Sequence, residues 1–170
     1  MLGIIHQKGV NLIELLVVTA IVIILTLAAI PLFTEFMQEY RLKSAVQSLY
    51  YSMQYARSEA VKENQTIYVG FQTGDSWCYG INPSTICTCS TPSGCSLGTT
   101  TAPRSQSLTL TATGLTTNAL QFEGTRGAAG ASSVLTFTVY GGTQTMSIKV
   151  TGLGNMTICS PNVSGYPACS

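Results

Sequence analysis

The stretch GVNLIELLVVTAIVIILTLAAIP, Gly9 to Pro31, decides how this chain is organised. Its apolar part continues to Thr34, and the 20 residues of Leu15–Thr34 carry no charged side chain. At a rise of about 1.5 Å per residue, a helix of this length extends about 30 Å, which is the hydrocarbon thickness of a bilayer. The stretch therefore predicts a membrane-length apolar helix.

A single carboxylate, Glu14, lies at the N-terminal edge of this run. A charge in an apolar span is costly unless it is paired or near the interface, so Glu14 is a functional candidate. The alternative is an acid at a helix start, where the dipole favours it. The residues before the run form a short polar leader that contains Lys8 and ends at Gly9.

The combination of leader, glycine, acid and proline resembles the class III signal of type IV prepilins and type II secretion pseudopilins. The resemblance implies that a prepilin peptidase cleaves between Gly9 and Val10 and methylates the new N-terminus. It also implies that Glu14 is the acid required for assembly, and that Pro31 is the helix-kinking proline. Two positions depart from the usual pattern, because Val10 replaces Phe and Asn11 replaces Thr.

The resemblance and the composition together predict three segments. Lys8 is a positive flank, so the N-terminus is expected in the cytoplasm and the rest of the chain beyond the membrane. The segments are a leader peptide at 1–9, a transmembrane or filament-core helix at 10–34, and a periplasmic or extracellular globular domain at 35–170.

The first part of that domain has the pattern of an amphipathic helix at 35–63. Its apolar residues follow one another in steps of four and three, which places them on one face: Leu42, Val46, Leu49, Met53, Ala56 and Ala60. Asn64 is a helix-stop residue, and Lys62 lies in the last turn. The sequence thus predicts one long helix from about Val10 to Glu63.

The remainder, 66–170, has the composition of strands and turns. The strongest hairpin signal consists of two alternating runs on either side of Gly141-Gly142. The predicted strands are Thr66–Gln72, Trp77–Ile81, Ser107–Thr111, Ala119–Glu123, Val134–Tyr140, Thr145–Val150 and Met156–Cys159. The stretch Asn82–Arg104 is predicted to be a long loop.

A long helix whose second half covers a mainly antiparallel sheet is an α+β fold. Here the resemblance narrows to the GspH/FimT family of minor pilins and pseudopilins. Gln54–Val61, QYARSEAV, is similar to the ARSEAI helix segment of that family, and Leu120–Gly124 fits one of its strands. The resemblance implies a pilin-like fold.

All six cysteines follow the apolar run, and an even set in an exported domain predicts disulfides. Cys159 and Cys169 enclose a short C-terminal loop, and we predict that they pair. Cys78, Cys87, Cys89 and Cys95 then allow three connectivities, which the sequence leaves open. A zinc site is the alternative for these four, but no C-x₂-C spacing supports it.

Residues with catalytic chemistry are scarce. The only histidine, His6, lies in the leader, and Asp75 is the only aspartate. The glycine-rich segments around Gly124–Gly130 and Gly152–Gly154 lack the Lys-Ser/Thr of a phosphate loop. The sequence therefore predicts a protein that is not an enzyme and that holds neither a metal nor a cofactor.

The resemblance implies a minor type IV pilin that helps to initiate or cap a pilus, with a type II secretion pseudopilin as the alternative. Its partners would be other pilins, the prepilin peptidase and the bacterial inner membrane. It would then leave the membrane for a filament in the periplasm or at the cell surface.

DNA binding is a third reading, because some FimT-like relatives carry a Gly-Arg-x-Arg motif near the C-terminus. Gly152–Asn155 corresponds to that place and contains neither arginine. Arg104, Arg126 and Lys149 are the only bases beyond the helix, whereas phosphate binding uses clustered Lys or Arg. DNA is therefore not an expected partner.

Overall fold

A computed structural model of the chain describes residues 11–91, 94–102, 108–115, 117–142 and 144–169, without the side chains of residues 28–32. The described part contains one helix, α1 (Leu12–Glu63), and eight strands. The strands are β1 (Ile67–Gln72), β2 (Cys78–Pro83), β3 (Gly98–Thr101), β4 (Leu108–Thr113), β5 (Ala119–Phe122), β6 (Ser133–Val139), β7 (Thr145–Val150) and β8 (Met156–Cys159). The chain divides into two compact units, Met1–Met37 and Gln38–Ser170.

The helix α1 is continuous from Leu12 to Glu63. Its predicted stop is confirmed, because Asn64 has a left-handed φ of 47° and the amide of Gln65 donates to the carbonyl of Ala60 at 3.1 Å. The predicted start at Val10 lies outside the described residues. Within the described residues, no helix is both long enough and apolar enough to cross a membrane.

The strands form two four-stranded antiparallel sheets, where the sequence predicted one. The first sheet has the order β3-β2-β1-β5 and the second has the order β4-β6-β7-β8. A bridge between Gly74 and Leu110 links the β1–β2 turn to β4. Alternation along a strand reports which side chains are buried but not which strands are partners, so the sequence could not divide the strands between two sheets.

The predicted bounds of β7 and β8 are confirmed, and the other predicted strands agree to within one or two residues where the chain is described. The prediction of an unbroken loop over Asn82–Arg104 is wrong, because β3 lies inside it and pairs with β2. β3 reads Gly-Thr-Thr-Thr and lies at an exposed edge, so it has no apolar alternation to reveal it.

The core of the second unit lies between the predicted face of α1 and the sheets. The six apolar residues predicted to share that face are fully buried. Burial of each Leu, Val or Met side chain on this face contributes about 1.5–3 kcal/mol to folding, and burial of the two alanines contributes less. The α+β prediction is confirmed.

Aromatic residues connect the helix to both sheets. The Tyr79 hydroxyl on β2 hydrogen-bonds to Ser48 at 3.0 Å and to Ser52 at 3.2 Å. Trp77 stacks on Tyr79 with ring centroids 6.4 Å apart, and it meets Phe137 of β6 edge-on at 5.0 Å. These contacts fix how α1 lies on the first sheet and how the two sheets meet.

Candidate functional site

The N-terminal part of α1 exposes apolar side chains on all sides. From Leu12 to Leu27, the large aliphatic side chains are 52–75% exposed. The two threonine hydroxyls of this stretch turn back to the helix, since Thr19 donates to the Leu16 carbonyl at 3.0 Å and Thr26 to the Ile23 carbonyl at 2.9 Å. The surface is therefore apolar even at its hydroxyl-bearing positions.

Glu14 is the only acidic residue in the first turn of α1. Its side chain is exposed, and it forms no ion pair with the described residues. The helix is continuous through Pro31, whose side chain lies outside the described set. Gly9 and Val10 also lie outside the described residues, so the proposed cleavage site remains a prediction.

The structure contains three disulfides. Cys159 is bonded to Cys169, with Cα atoms 5.0 Å apart. The four central cysteines, whose pairing the sequence left open, form Cys78–Cys89 and Cys87–Cys95, with Cα atoms 5.8 and 5.3 Å apart. These two bonds are interleaved along the chain. Cys78–Cys89 fastens the segment after β2 to that strand, and Cys87–Cys95 links two points within the segment.

Two glycines make room for that segment on the outer face of the first sheet. Gly70 of β1 and Gly80 of β2 are directly opposite each other. A Cβ on Gly80 would lie 2.2 Å from the Cys95 sulfur, and one on Gly70 would lie 2.9 Å from the Cys87 carbonyl oxygen. This pair was not predicted from the sequence, although an isolated glycine inside a strand is a signal for close approach of another segment.

The C-terminal loop closed by Cys159–Cys169 packs back on the domain. Val163 is buried, and the Ser160 hydroxyl donates to the Thr145 carbonyl at 2.6 Å. The Gln47 side-chain amide donates to the Tyr166 hydroxyl at 3.1 Å, which ties this loop to α1. The C-terminal loop is thus packed on the domain and hydrogen-bonded to α1.

Arg57, in the segment similar to ARSEAI, holds two turns against the helix. Its Nε donates to the Gly127 carbonyl at 3.0 Å, and a Cβ on Gly154 would lie 2.1 Å from that same oxygen. Gly154 is buried, while the neighbouring Leu153 is 75% exposed. This turn therefore presents the apolar side chain of Leu153 at the surface.

The described residues contain no group of three or more His, Cys, Asp or Glu side chains that could hold a metal ion. The charged side chains of the second unit are paired mainly along α1, as in Lys43–Glu39 at 2.6 Å. The Lys62 amine donates hydrogen bonds to the carboxylates of Glu63 and Glu59, and these bonds raise the pKa of this exposed amine. These are surface pairs, which contribute little to stability.

The comparisons with known proteins agree with this architecture. The family model described as type II transport protein GspH matches residues 45–154, more than half of the chain. The structure is similar to crystal structures of the type IV minor pilin FimU from Pseudomonas aeruginosa (strain PAO1) in two crystal forms. One has a TM-score of 0.56 at 21% identity and covers 75% of this chain and 97% of FimU. The other has 0.53 at 20%, covering 71% and 98%.

None of the curated proteins matches this chain in sequence. The likeness to FimU shows a shared fold over 75% of this chain. The family match spans the second half of α1 and both sheets as far as the turn at Gly154. On that match, this chain belongs to the GspH family of pilin-like proteins.

Proposed function

We propose that this protein is a minor pilin, a structural subunit that helps to initiate or cap a type IV pilus, and that it is not an enzyme. Membership of the GspH family and the likeness in fold to a minor pilin support this proposal. The observation that carries it is the N-terminal part of α1, whose aliphatic side chains are exposed from Leu12 to Leu27. An apolar surface of this extent calls for lipid or other apolar helices around it.

The proposed partners are therefore other pilin-like subunits, whose apolar helices would pack beside this one in a filament. Glu14 is the one charge in this surface before Glu35. We propose that it pairs with the methylated N-terminal amine of a neighbouring subunit. Removing one member of a desolvated ion pair leaves the other uncompensated, which costs about 3–5 kcal/mol.

Before assembly, the protein would be processed at the inner membrane. The proposed sequence of events is single-pass insertion with a cytoplasmic N-terminus, then cleavage by the prepilin peptidase between Gly9 and Val10. The charge-free run of the sequence and the flanking Lys8 support this topology. Mass spectrometry of the protein from cells tests it, since the proposal requires a mature N-terminus at Val10 that carries one methyl group.

The second candidate is a pseudopilin of a type II secretion system, which the description of the matching family model favours. A pseudopilin would use the same apolar helix and the same Glu14. The two candidates therefore differ in the machine that the subunit joins and not in how it joins. A cellular measurement has to separate them.

DNA binding is not part of the proposal. In the described part of the domain beyond α1, Arg126 and Lys149 are the bases, and the Gly152–Asn155 turn holds Leu153 where the DNA-binding relatives carry arginine. Nonspecific affinity for DNA depends on several neutralised phosphates. A salt-dependent gel shift with the purified protein would contradict this conclusion.

The test of the proposed function is deletion of the gene, followed by quantification of pili sheared from the cell surface. Complementation with the wild-type gene is expected to restore pili, and complementation with Glu14→Ala is not. Glu14→Asp serves as the matched control, because it keeps the carboxylate at the same position. Each variant is checked for membrane accumulation by immunoblot.

Unchanged piliation in the deletion strain, together with a loss of protein secretion, would replace the minor pilin by the pseudopilin. If both piliation and secretion are unchanged, both candidates are wrong. If Glu14→Ala restores pili as well as the wild type does, the proposed ion pair is wrong while the subunit role remains.

A further inference from the structure

Two adjoining cavities lie on the outer face of the first sheet, beside the disulfide-bonded segment. Their volumes are about 360 and 350 Å³, and they share Ile86 and Thr117 as lining residues. We call them together the outer cleft. Its floor includes Tyr68 and Gly70 of β1 and Gln121 of β5, and the 86–89 segment lies on one side. The combined size is within the range of small-molecule sites.

The chemistry of the outer cleft differs from that of the helix surface. None of the described residues that line it is charged, and many are amides or hydroxyls. The side chains of Tyr68, Asn118 and Gln121 form no hydrogen bond with the described residues, although they border the cleft. By contrast, the Asn82 amide donates to the Thr85 hydroxyl at 3.0 Å and accepts from Ser96.

We propose that the outer cleft binds a neutral oligosaccharide. Each sugar hydroxyl both donates and accepts, and so do the amides of Asn118 and Gln121, each with one acceptor and two donors. Sugars also have an apolar C–H face, which the exposed side chain of Ile86 and the half-buried Leu115 can contact. The absence of charge among the described lining residues matches an uncharged ligand, since it offers no partner to a carboxylate, phosphate or sulfate.

An extended peptide that adds a strand to the sheet fits this cleft less well. The outward edge of β5 is already occupied, because Gly130 donates to the Gln121 carbonyl at 3.3 Å and Glu123 donates to the Ala128 carbonyl at 2.9 Å. Only the Ala119 end of β5 is left for a further strand. Strand addition depends on a row of main-chain hydrogen bonds, and this edge is too short to supply one.

The wall of the outer cleft is held in place before any ligand arrives. Cys87 is bonded to Cys95, and the Cys87 carbonyl lies against Gly70. Cys89, in the same wall, is bonded to Cys78 of β2. A wall that is fixed in advance reduces the ordering cost of binding, which matters for ligands that form weak individual contacts.

The test is a titration of the full-length protein with neutral disaccharides, followed by saturation-transfer difference NMR. The probes are lactose, maltose, cellobiose and diacetylchitobiose, each up to about 50 mM, a range that covers millimolar affinity. The protein is kept in lauryldimethylamine oxide, because a glycoside detergent would compete for the site. At least one probe is expected to bind saturably.

Two variants connect that binding to the outer cleft. Gln121→Ala removes an amide and Ile86→Ala removes an exposed apolar contact, and each is expected to weaken binding by about threefold to tenfold. The matched controls are Gln38→Ala and Leu153→Ala, which remove an amide and an aliphatic side chain at exposed positions outside the cleft. Thermal unfolding confirms that each variant is folded, and Ile86→Ala keeps the test valid if Gln121→Ala does not fold.

The proposal is overturned if no probe binds, or if both cleft variants bind as well as their controls. It is also overturned if 6′-sialyllactose binds more tightly than lactose. A neutral peptide, acetyl-Thr-Val-Thr-Val-Thr-amide, is tested alongside, and binding of this peptide without any sugar would assign the cleft to strand addition. The test does not involve filament assembly, so its failure would leave the proposed pilus function standing.

Discussion

Gly80 is the residue on which the outer face of the first sheet depends most directly. Any side chain there would meet the sulfur of Cys95 at 2.2 Å and that of Cys87 at 3.0 Å. A disulfide fixed at both ends cannot move away as the tip of a flexible side chain would. The close approach therefore needs a residue without a Cβ.

We predict that Gly80→Ala lowers the free energy of unfolding by about 1–3 kcal/mol, the usual cost of inserting a methyl group into a filled space. The measurement is urea unfolding of the oxidised protein. Gly152→Ala is the control, since a Cβ at that position has no neighbour closer than 3.9 Å. Equal midpoints for the two variants would mean that the disulfide segment can shift at little cost.

Arg57 is a second position where a single atom matters. Its Nε donates to the Gly127 carbonyl, and its side chain also lies against the place where a Gly127 Cβ would be. Lysine has a similar aliphatic chain and the same charge, but it has no N–H group at the position of the arginine Nε. The segment similar to ARSEAI thus has a structural role in this chain.

We predict that Arg57→Lys lowers the free energy of unfolding by about 1 kcal/mol, the net value of one hydrogen bond. It should also increase hydrogen exchange at the Gly127 and Gly154 amides. Arg126→Lys, at an exposed position of the same loop, is expected to change neither quantity. Unaltered exchange in Arg57→Lys would show that the two turns keep their places without this bond.

At the scale of elements, the buried face of α1 carries the stability of the second unit. Leu49 is completely buried between the helix and the sheets. We predict that Leu49→Ala lowers the free energy of unfolding by about 2–5 kcal/mol. Val61→Ala is the control, because Val61 is 48% exposed on the same helix. Denaturant unfolding that gave similar values for both would contradict the assigned face.

The elements that were predicted well from the sequence have a regular spacing of apolar residues. α1 keeps steps of three and four from Leu42 to Ala60, and β7 alternates beside a glycine pair. β3 has no such signal, because Gly98–Thr101 is an exposed edge strand that owes its conformation to pairing with β2. Pairing between strands that are distant in the chain leaves no signal in the local sequence. For this reason β3 was not predicted, and the strands were predicted to form one sheet instead of two.

The candidate sites show the same difference between local sequence signals and long-range contacts. Glu14 stands out in the sequence because a charge interrupts an apolar run, and the cysteines stand out by their even number. The outer cleft was not predicted, since Tyr68, Ile86 and Gln121 come from separate segments. Only the pairing of β1 with β5 and the course of the disulfide-bonded segment bring these residues together.

At the scale of the whole molecule, the C-terminal disulfide fastens the end of the chain to the domain. We predict that the double variant Cys159→Ser/Cys169→Ser lowers the free energy of unfolding by about 3 kcal/mol, as expected for closing a loop with a sequence separation of 10. Calorimetry of this variant should show a lower melting temperature, whereas Thr157→Ala on β8 should not. A stable double variant would mean that Val163 and Tyr166 hold the loop without covalent help.

The three disulfides also determine how far the protein can stretch under load. A pulled chain cannot lengthen within the interleaved Cys78–Cys95 region or within Cys159–Cys169 unless sulfur–sulfur bonds break. The disulfides therefore shorten the fully extended polypeptide by roughly 70 Å. In single-molecule force spectroscopy, the unfolded oxidised protein should therefore be shorter than the reduced protein by that amount. In a filament under tension, a subunit with these disulfides would therefore lengthen less before the neighbouring subunits bear the load.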